Sequence, residues 1–328
     1  MNEKLRKTII YLALIACGLF MIVPFIWMIS TALMSQAEFN KGEAIFIPKE
    51  NYNIIKNSSP EQKVIVVRTM GDSSLVHFLD ADGKITKEYI KVETKSIKNI
   101  NKRISIHWDN FIKVFKKVPF ARYFANTLYV SFLSLLGVLV TSAFAAYAFS
   151  RMVFRGRDMI FLLFISMVMV PEPIYIITSY LLLDKLAWLD TYRGLIIPWW
   201  VNVFTVFLFR QHFKSLPKEL FDAASIDGCS TFSMLTKIIL PLSKPVIATA
   251  SVFSIIGSWN SFMWPLVMTT KEELRLLQVG LSYFNAEASA QTTLLMAAST
   301  FSIVPILILF FLAQKQIIES TAKTGLKD

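Results

Sequence analysis

Six long apolar segments alternate with shorter polar ones along the chain. Each contains about 20 residues with few or no charges, the length that an α-helix needs to cross roughly 30 Å of hydrocarbon. The pattern therefore predicts six transmembrane helices, at residues 8–33, 124–149, 159–183, 194–213, 245–268 and 292–313. No small-x-small cleavage pattern follows the first segment, so we expect it to remain as a helix rather than to be cleaved as a signal peptide.

The composition agrees with a membrane protein. Of the 328 residues, 54% are hydrophobic and 17% are charged, and the mean hydropathy is +0.52. The net charge of +11 could suggest a nucleic-acid partner, but the cations collect before the first predicted span, in alternate loops and after the last span. Because basic loops stay on the cytoplasmic side, we expect a cell-membrane protein with both termini in the cytoplasm, in contact with lipid and not with nucleic acid.

A segment between the first two spans has a different pattern. Residues 63–70, 74–94 and 104–108 form β-branched, partly alternating runs, and Asp82-Gly83 is a hairpin signal. We predict an extracellular β-rich insertion at residues 35–118, between a first part at 1–34 and a core at 119–328. The DADG stretch at 80–83 resembles the start of a calcium loop, but Lys91 occupies the position of the required Glu, so a turn is favoured.

The polar segment between the fourth and fifth spans predicts a helix–turn–helix. Ser215 can cap a first helix, and Gly228 supplies the left-handed residue that ends it. Ser230 or Thr231 can cap a second helix, which we expect to end at Pro241. An amphipathic helix lying on the bilayer is the alternative to a docking element.

The first of these helices carries features of a docking surface. Small Ala223 and Ala224 allow a close backbone approach, while Phe221 and Ile226 offer apolar contacts that a solvated loop has little reason to expose.

The same segment carries a spaced motif. Asp222-Ala223-Ala224 is followed after three residues by Gly228, and after nine more by the sequence 238–241, Ile-Ile-Leu-Pro. This resembles the EAA loop of the permeases of ABC importers, here at 214–244, with Asp in place of the first Glu. The flanking sequences are similar to the carbohydrate-uptake group, which includes the smaller maltose-permease subunit.

The resemblance implies an all-α polytopic protein with six transmembrane helices of the type I importer fold, and it makes the β-rich segment an insertion. It implies a heterodimer with a second permease, two ATPase subunits, an extracellular solute-binding protein and a carbohydrate substrate. The chain has no Walker A motif, so we expect no catalysis and no bound cofactor; ATP and Mg would be used by the ATPases. The implied coupling residues are Glu219, Asp222, Ala223, Ala224, Asp227, Gly228, Leu240 and Pro241.

Several residues in or near the spans are candidates for the solute pathway. Glu172 lies between two prolines, about 20 Å along the third span, where a charge is costly unless it faces a cavity or a partner. Trp199 and Trp200 could stack on sugar rings, but a role as interfacial anchors is favoured. Trp259, Asn260 and Ser261 suit a polyol pathway or interhelical hydrogen bonds equally.

Further residues are assigned to the loop between the fifth and sixth spans. Gly280, Tyr283 and Asn285 would form a flexible tip that reaches the binding protein, if this is not a plain surface loop. Cys17 and Cys229 show no spacing typical of a metal site or redox pair. The remaining alternatives are an ion-gradient-driven transporter, an ABC permease for a solute other than sugar, and a membrane anchor that presents a β-rich module.

Overall fold

The computed structural model describes residues 3–40, 46–55, 63–79, 85–104, 106–287 and 291–325. The chain divides into two compact units. The first comprises Met1–Lys117 and Glu287–Thr300, and the second comprises Val118–Ala286 and Phe301–Asp328. Each unit is described separately below.

The first unit begins with the helix α1, Glu3–Ala32, whose apolar side chains are mostly exposed, as in a helix that faces lipid. Two short helices follow in this unit, α2 (Gln36–Phe39) and α3 (Asp109–Lys117). The buried Asn110 side chain donates hydrogen bonds to the carbonyls of Ala32 (2.9 Å) and Met34 (2.8 Å). These bonds satisfy carbonyls that the end of α1 leaves unpaired and fix α3 against it.

A five-stranded antiparallel sheet completes this unit. Its strand order is β4-β3-β2-β1-β5, and the strands are β1 (Lys49–Ile55), β2 (Lys63–Met70), β3 (Ser73–Leu79), β4 (Ile85–Glu93) and β5 (Ile97–Ile104). Val66 pairs with the buried Val76, and Val64 on the same face of β2 is buried as well, so the burial of this face sets the register of β2 and β3.

The strands follow the sequence prediction only in part. The run 63–70 is β2, and β3 and β4 cover most of 74–94, but the predicted Asp82-Gly83 turn and the DADG stretch lie outside the described residues. The prediction of a strand at 104–108 was wrong, because Ile104 is the last residue of β5 and Trp108 leads into α3. The sequence pattern did not predict β1 and β5, because both contain lysine and asparagine, which are uncommon in strands. These two strands pair with each other.

The second unit is a helical bundle built on α4, against which α8 and α12 pack. Its helices are α4 (Phe120–Arg151), α5 (Arg157–Ser166), α6 (Glu172–Lys185), α7 (Tyr192–Ile196), α8 (Val203–Ser215), α9 (Lys218–Ile226), α10 (Thr231–Met234), α11 (Leu240–Leu242), α12 (Lys244–Trp259), α13 (Met263–Met268), α14 (Leu277–Glu287) and part of α15 (Thr292–Gly325). Over the described residues of both units, α1 included, four helical segments are long and apolar enough to cross a membrane. The number rises to as many as six if each of two bent helix pairs counts as one span.

Prolines break the helices that the apolar pattern predicts as continuous. The third predicted span bends by 102° between Met169 and Glu172, where Pro171 cannot donate a backbone hydrogen bond. The fifth is interrupted after Trp259, because Pro265 has no N–H to donate to the carbonyl of Ser261, four residues before it. Glu172, which the apolar pattern places about 20 Å along the third span, therefore begins a new helix after the bend.

Candidate functional site

The polar 214–244 segment is a compact series of short helices. Gly228 has φ +69°, and a Cβ placed there would meet nothing within 4 Å, so the turn needs glycine for its backbone conformation and not for space. The Ser230 hydroxyl accepts a hydrogen bond from the Ser233 N–H at 3.3 Å and caps α10. The predicted turn and second cap are both confirmed.

Two predicted boundaries in this segment are wrong. Ser215 does not cap α9: it ends α8, and its hydroxyl donates to the His212 carbonyl, while α9 begins only after Pro217. Pro241 does not end the second helix, because the chain widens into a π-helical turn at Leu235–Ile239 and continues as α11. The widened turn accommodates Pro241, which has no N–H to donate to a carbonyl of the preceding turn.

An apolar contact and an arginine hold α9 on the bundle. Phe221 and Ala224 are buried against Ala146, Tyr147 and other residues of α4 and α8. The Arg151 guanidinium donates to the carbonyls of Leu216 (2.8 Å) and Phe213, and it lies 3.8 Å from the centre of the Phe221 ring. Phe221 was predicted to face a partner, but it anchors α9 from inside.

The opposite face of α9 is open. Glu219, Asp222, Ala223, Asp227 and Gly228 are all exposed. Apolar side chains accompany them, because Ile226 is 86% exposed and Phe232 is 63% exposed. An exposed surface of carboxylates and apolar groups therefore lies beside the glycine turn.

A cavity of about 370 Å³ lies elsewhere in the second unit. It forms where three helical segments are interrupted, next to α4. Its lining consists of Val130, Ser134, Val138, Glu172, Leu195, Trp199, Asn202, Phe253, Ser254, Gly257, Ser258, Asn260, Ser261, Phe262, Trp264, Pro265 and Leu276.

The cavity wall combines aromatic surface with hydroxyl and amide groups. The Trp199 and Trp264 rings meet edge to face with centroids 5.4 Å apart, and the Trp264 Nε1 donates to the Gly194 carbonyl at 3.1 Å. Asn202 caps α8 by accepting from the Thr205 N–H at 2.8 Å. Polar and apolar groups of this kind bind polyhydroxylated solutes, because aromatic faces pack on the apolar side of a sugar ring while amides and hydroxyls pair with its hydroxyls.

Residues 99–322 match the family of inner membrane components of binding-protein-dependent transport systems. The chain belongs to this family. The arabinooligosaccharide permease AraQ of Halalkalibacterium halodurans is 36% identical over 220 residues, which are 67% of this chain and 79% of that protein. The trehalose/maltose permease MalG of Thermococcus litoralis is 32% identical over 224 residues, 67% of this chain and 81% of that protein.

A solved bacterial ABC transporter that imports the acidic polysaccharide alginate has the same fold as the permease. The TM-score is 0.69 at 21% identity, and the match covers 96% of this chain and 97% of the other. The structural likeness therefore also includes most of the residues before 99, which the family match over residues 99–322 does not include.

The structure separates the predicted pathway residues of the permease. Glu172, Trp199, Asn260 and Ser261 line the cavity. Trp259 is not among the lining residues: it is 2% exposed, and its Nε1 donates to the Ser302 carbonyl at 3.0 Å. It therefore serves helix packing within the bundle.

The two adjacent tryptophans also differ from each other. Trp200 fills the space opposite Gly137, where a Cβ would lie 2.0 Å from its ring, while Trp199 faces the cavity. Both are half-buried in the bundle.

The segment predicted to contact a binding protein is helical. Gly280 lies within α14, and a Cβ on it would come within 2.2 Å of the Tyr123 ring. The flexible tip predicted at Gly280 is therefore wrong, because this glycine allows close packing on α4. Tyr283 and Asn285 lie further along the same helix.

A carboxylate that sequence reasoning missed ties two loops together. Asp190 accepts hydrogen bonds from the Thr270 N–H (2.6 Å), the Thr270 hydroxyl (2.7 Å) and the Lys271 N–H (3.0 Å). Desolvation raises the pKa of Asp190. The hydrogen bonds and the Lys271 charge together lower it by more, so the pKa lies below its ordinary value. Its φ of +54°, uncommon outside glycine, has no local sequence signal except the tolerance of Asp for that region.

Proposed function

We propose that the permease forms, with a second homologous permease, the pathway by which a carbohydrate enters the cell. An extracellular solute-binding protein would deliver the sugar, and two separate ATPase subunits would supply the energy. The observation that carries this proposal is the exposed face of α9, held from behind by Phe221 and Arg151. A surface with that rigidity can receive a push and pass it to the bundle, which a mobile loop cannot do.

In this scheme, the α9 face docks into a groove on an ATPase. ATP and Mg bind to the ATPase, and closure of the ATPase dimer displaces α9 and shifts the permease toward its outward-facing state. Asp222 keeps the charge of the usual Glu with a shorter reach. The binding of ATP and of the loaded binding protein must favour the outward-facing state, because otherwise neither can drive transport.

The choice of a carbohydrate has two supports. The relatives AraQ and MalG are named for oligosaccharides and disaccharides. The cavity wall, with Trp199 beside hydroxyls and amides, suits polyhydroxylated solutes. A volume of about 370 Å³ is of the size that holds a small solute.

The proposed topology has six spans, with both termini in the cytoplasm and the five-stranded sheet outside the cell. The bent α5–α6 pair serves as the third span. Of the second bent pair, formed by Thr231–Leu242 and α12, only α12 belongs to the membrane, and together with α13 it serves as the fifth span. In this arrangement the 214–244 segment faces the cytoplasm, and α14, with Tyr283 and Asn285, lies on the side of the binding protein.

Uptake by the purified transporter in proteoliposomes tests the proposal. With ATP enclosed and the binding protein outside, we expect accumulation of a labelled oligosaccharide that persists when an uncoupler is added. Uptake that needs an ion gradient and no ATP would instead support a secondary transporter. Accumulation of only a non-sugar solute would support an ABC importer but would contradict a carbohydrate substrate.

Matched variants test the coupling surface. Gly228→Pro, which cannot adopt φ +69°, and Asp222→Arg should abolish uptake while the chain still inserts into the membrane. Gly228→Asn, which tolerates the left-handed region, and Asp222→Glu should retain it. Wild-type rates in both disruptive variants would disprove docking through α9.

A further inference from the structure

The cavity contains one kind of charge. Among its lining residues in the described part of the chain, Glu172 is the only one with an ionisable acidic or basic side chain. The other polar groups are neutral hydroxyls and amides, from Ser134, Asn202, Ser254, Ser258, Asn260 and Ser261. A solute in the cavity therefore meets a negative charge and no lysine, arginine or histidine among these residues.

Glu172 lines the cavity from the start of a helix. Glu172 is the first residue of α6, immediately after the 102° bend, and Pro171 precedes it. Its Oε1 is buried and has no hydrogen-bond partner among the described residues. Pro171 and Pro173 have no N–H to donate to this carboxylate, and the Ile174 N–H already donates to the Pro171 carbonyl at 3.0 Å.

A carboxylate without partners can do two things to a solute. It accepts hydrogen bonds from sugar hydroxyls or from an ammonium group, since an ionised carboxylate offers only acceptor sites. It also repels a second carboxylate or a phosphate, and the repulsion is stronger beside an apolar wall than in water. Phe253, Trp199 and Trp264 provide such a wall.

We propose that Glu172 is a specificity-determining residue that admits neutral and amino sugars to the pathway and rejects uronates and sugar phosphates. The inference rests on the proposed function, and it names the substrate class of that pathway. Discrimination comes from a repulsive group placed against the wrong solute, while the hydroxyls and amides of the wall serve any sugar.

Direct binding to the purified transporter tests the proposal. The complex of this chain with its partner permease and ATPases is placed in nanodiscs without the binding protein, so that only the permeases select. Titration calorimetry then measures β-1,4-linked trisaccharides of glucose, glucosamine and glucuronate. We expect the glucuronate trisaccharide to bind at least tenfold more weakly than the glucose one, and the glucosamine trisaccharide to bind at least as tightly.

Three variants test whether Glu172 causes the difference in affinity between the glucose and glucuronate trisaccharides. Glu172→Gln should reduce the difference between glucose and glucuronate to less than threefold, and Glu172→Asp should preserve it. Glu273→Gln, which removes an exposed carboxylate outside the cavity lining, should behave as wild type. Equal binding of glucuronate by wild type, or an unchanged difference in Glu172→Gln, would overturn the charge filter alone. Failure of all three sugars to bind would overturn the carbohydrate assignment and the filter with it.

Discussion

In the 214–244 segment, the residues that set the shape are close neighbours in sequence, whereas the residues that line the cavity extend from Val130 to Leu276. Gly228 and Ser230 each act within a few residues of chain. The cavity requires Ser134, Glu172 and Asn260 to meet across the bundle. A local signal therefore predicts the first region, while the second depends on where helices break and on what packs around the breaks.

The largest expected effect concerns close packing next to the cavity. A Cβ on Gly194 would lie 2.4 Å from the Trp188 carbonyl oxygen, a backbone atom that cannot rotate away. Gly194→Ala should therefore destabilise the bundle by about 1–3 kcal/mol, the usual cost of overpacking. Thermal unfolding in detergent measures this loss.

Gly257 provides the control for that substitution. It lies on the cavity wall, and a Cβ there would meet nothing within 4 Å, so Gly257→Ala should not lower the unfolding temperature. Because alanine has a higher helix propensity than glycine, equal losses in the two alanine variants would show that the contact with the Trp188 carbonyl is not the cause of the loss at Gly194.

A second prediction concerns the attachment of α9. Arg151→Met removes the hydrogen bonds to Leu216 and Phe213 and the contact with the Phe221 ring. Uptake should fall about tenfold, which corresponds to about 1.4 kcal/mol, as α9 loosens from α4. Transport in proteoliposomes measures the change, and Arg155→Met, at an exposed position, should transport normally.

A third prediction separates the two serines of the 214–244 segment. Ser230→Ala removes the cap of α10 and should cost about 1 kcal/mol. Ser215→Ala, at the residue where the cap of α9 was expected but not found, should cost less. The unfolding midpoints of the two variants compare them directly, and a larger loss for Ser215→Ala would contradict the observed caps.

The smallest predicted effect is a local pH dependence at Asp190. Because its folded pKa is lowered, its stabilisation is present above the unfolded pKa of about 3.9 and is lost as the pH falls through the folded value. Hydrogen exchange at the Thr270 and Lys271 amides should therefore show less protection at pH 3 than at pH 6, after correction for the intrinsic rates. Asp190→Asn should remove most of this difference; an unchanged pH dependence would assign it to another group.

The sequence predicted the fold class and much of the helical core, because apolar length and turn chemistry are local properties. It missed the breaks at Pro171 and after Trp259 as the origin of the cavity, since a hydropathy window averages over them. It also could not separate Trp199 from Trp200, or Asn260 from Trp259. Those neighbours differ only in which way the packed bundle turns each side chain.

The corner at Ser243 has a mechanical consequence. Residues Thr231–Leu242 and Lys244–Trp259 meet at 82°, and the buried Ser243 hydroxyl donates to the Ile239 carbonyl at 2.6 Å. A displacement along the first arm therefore acts almost crosswise on the second and tilts it instead of sliding it lengthwise. Phe253, Ser254 and Gly257 lie on that second arm, so the tilt would be delivered to the wall of the cavity.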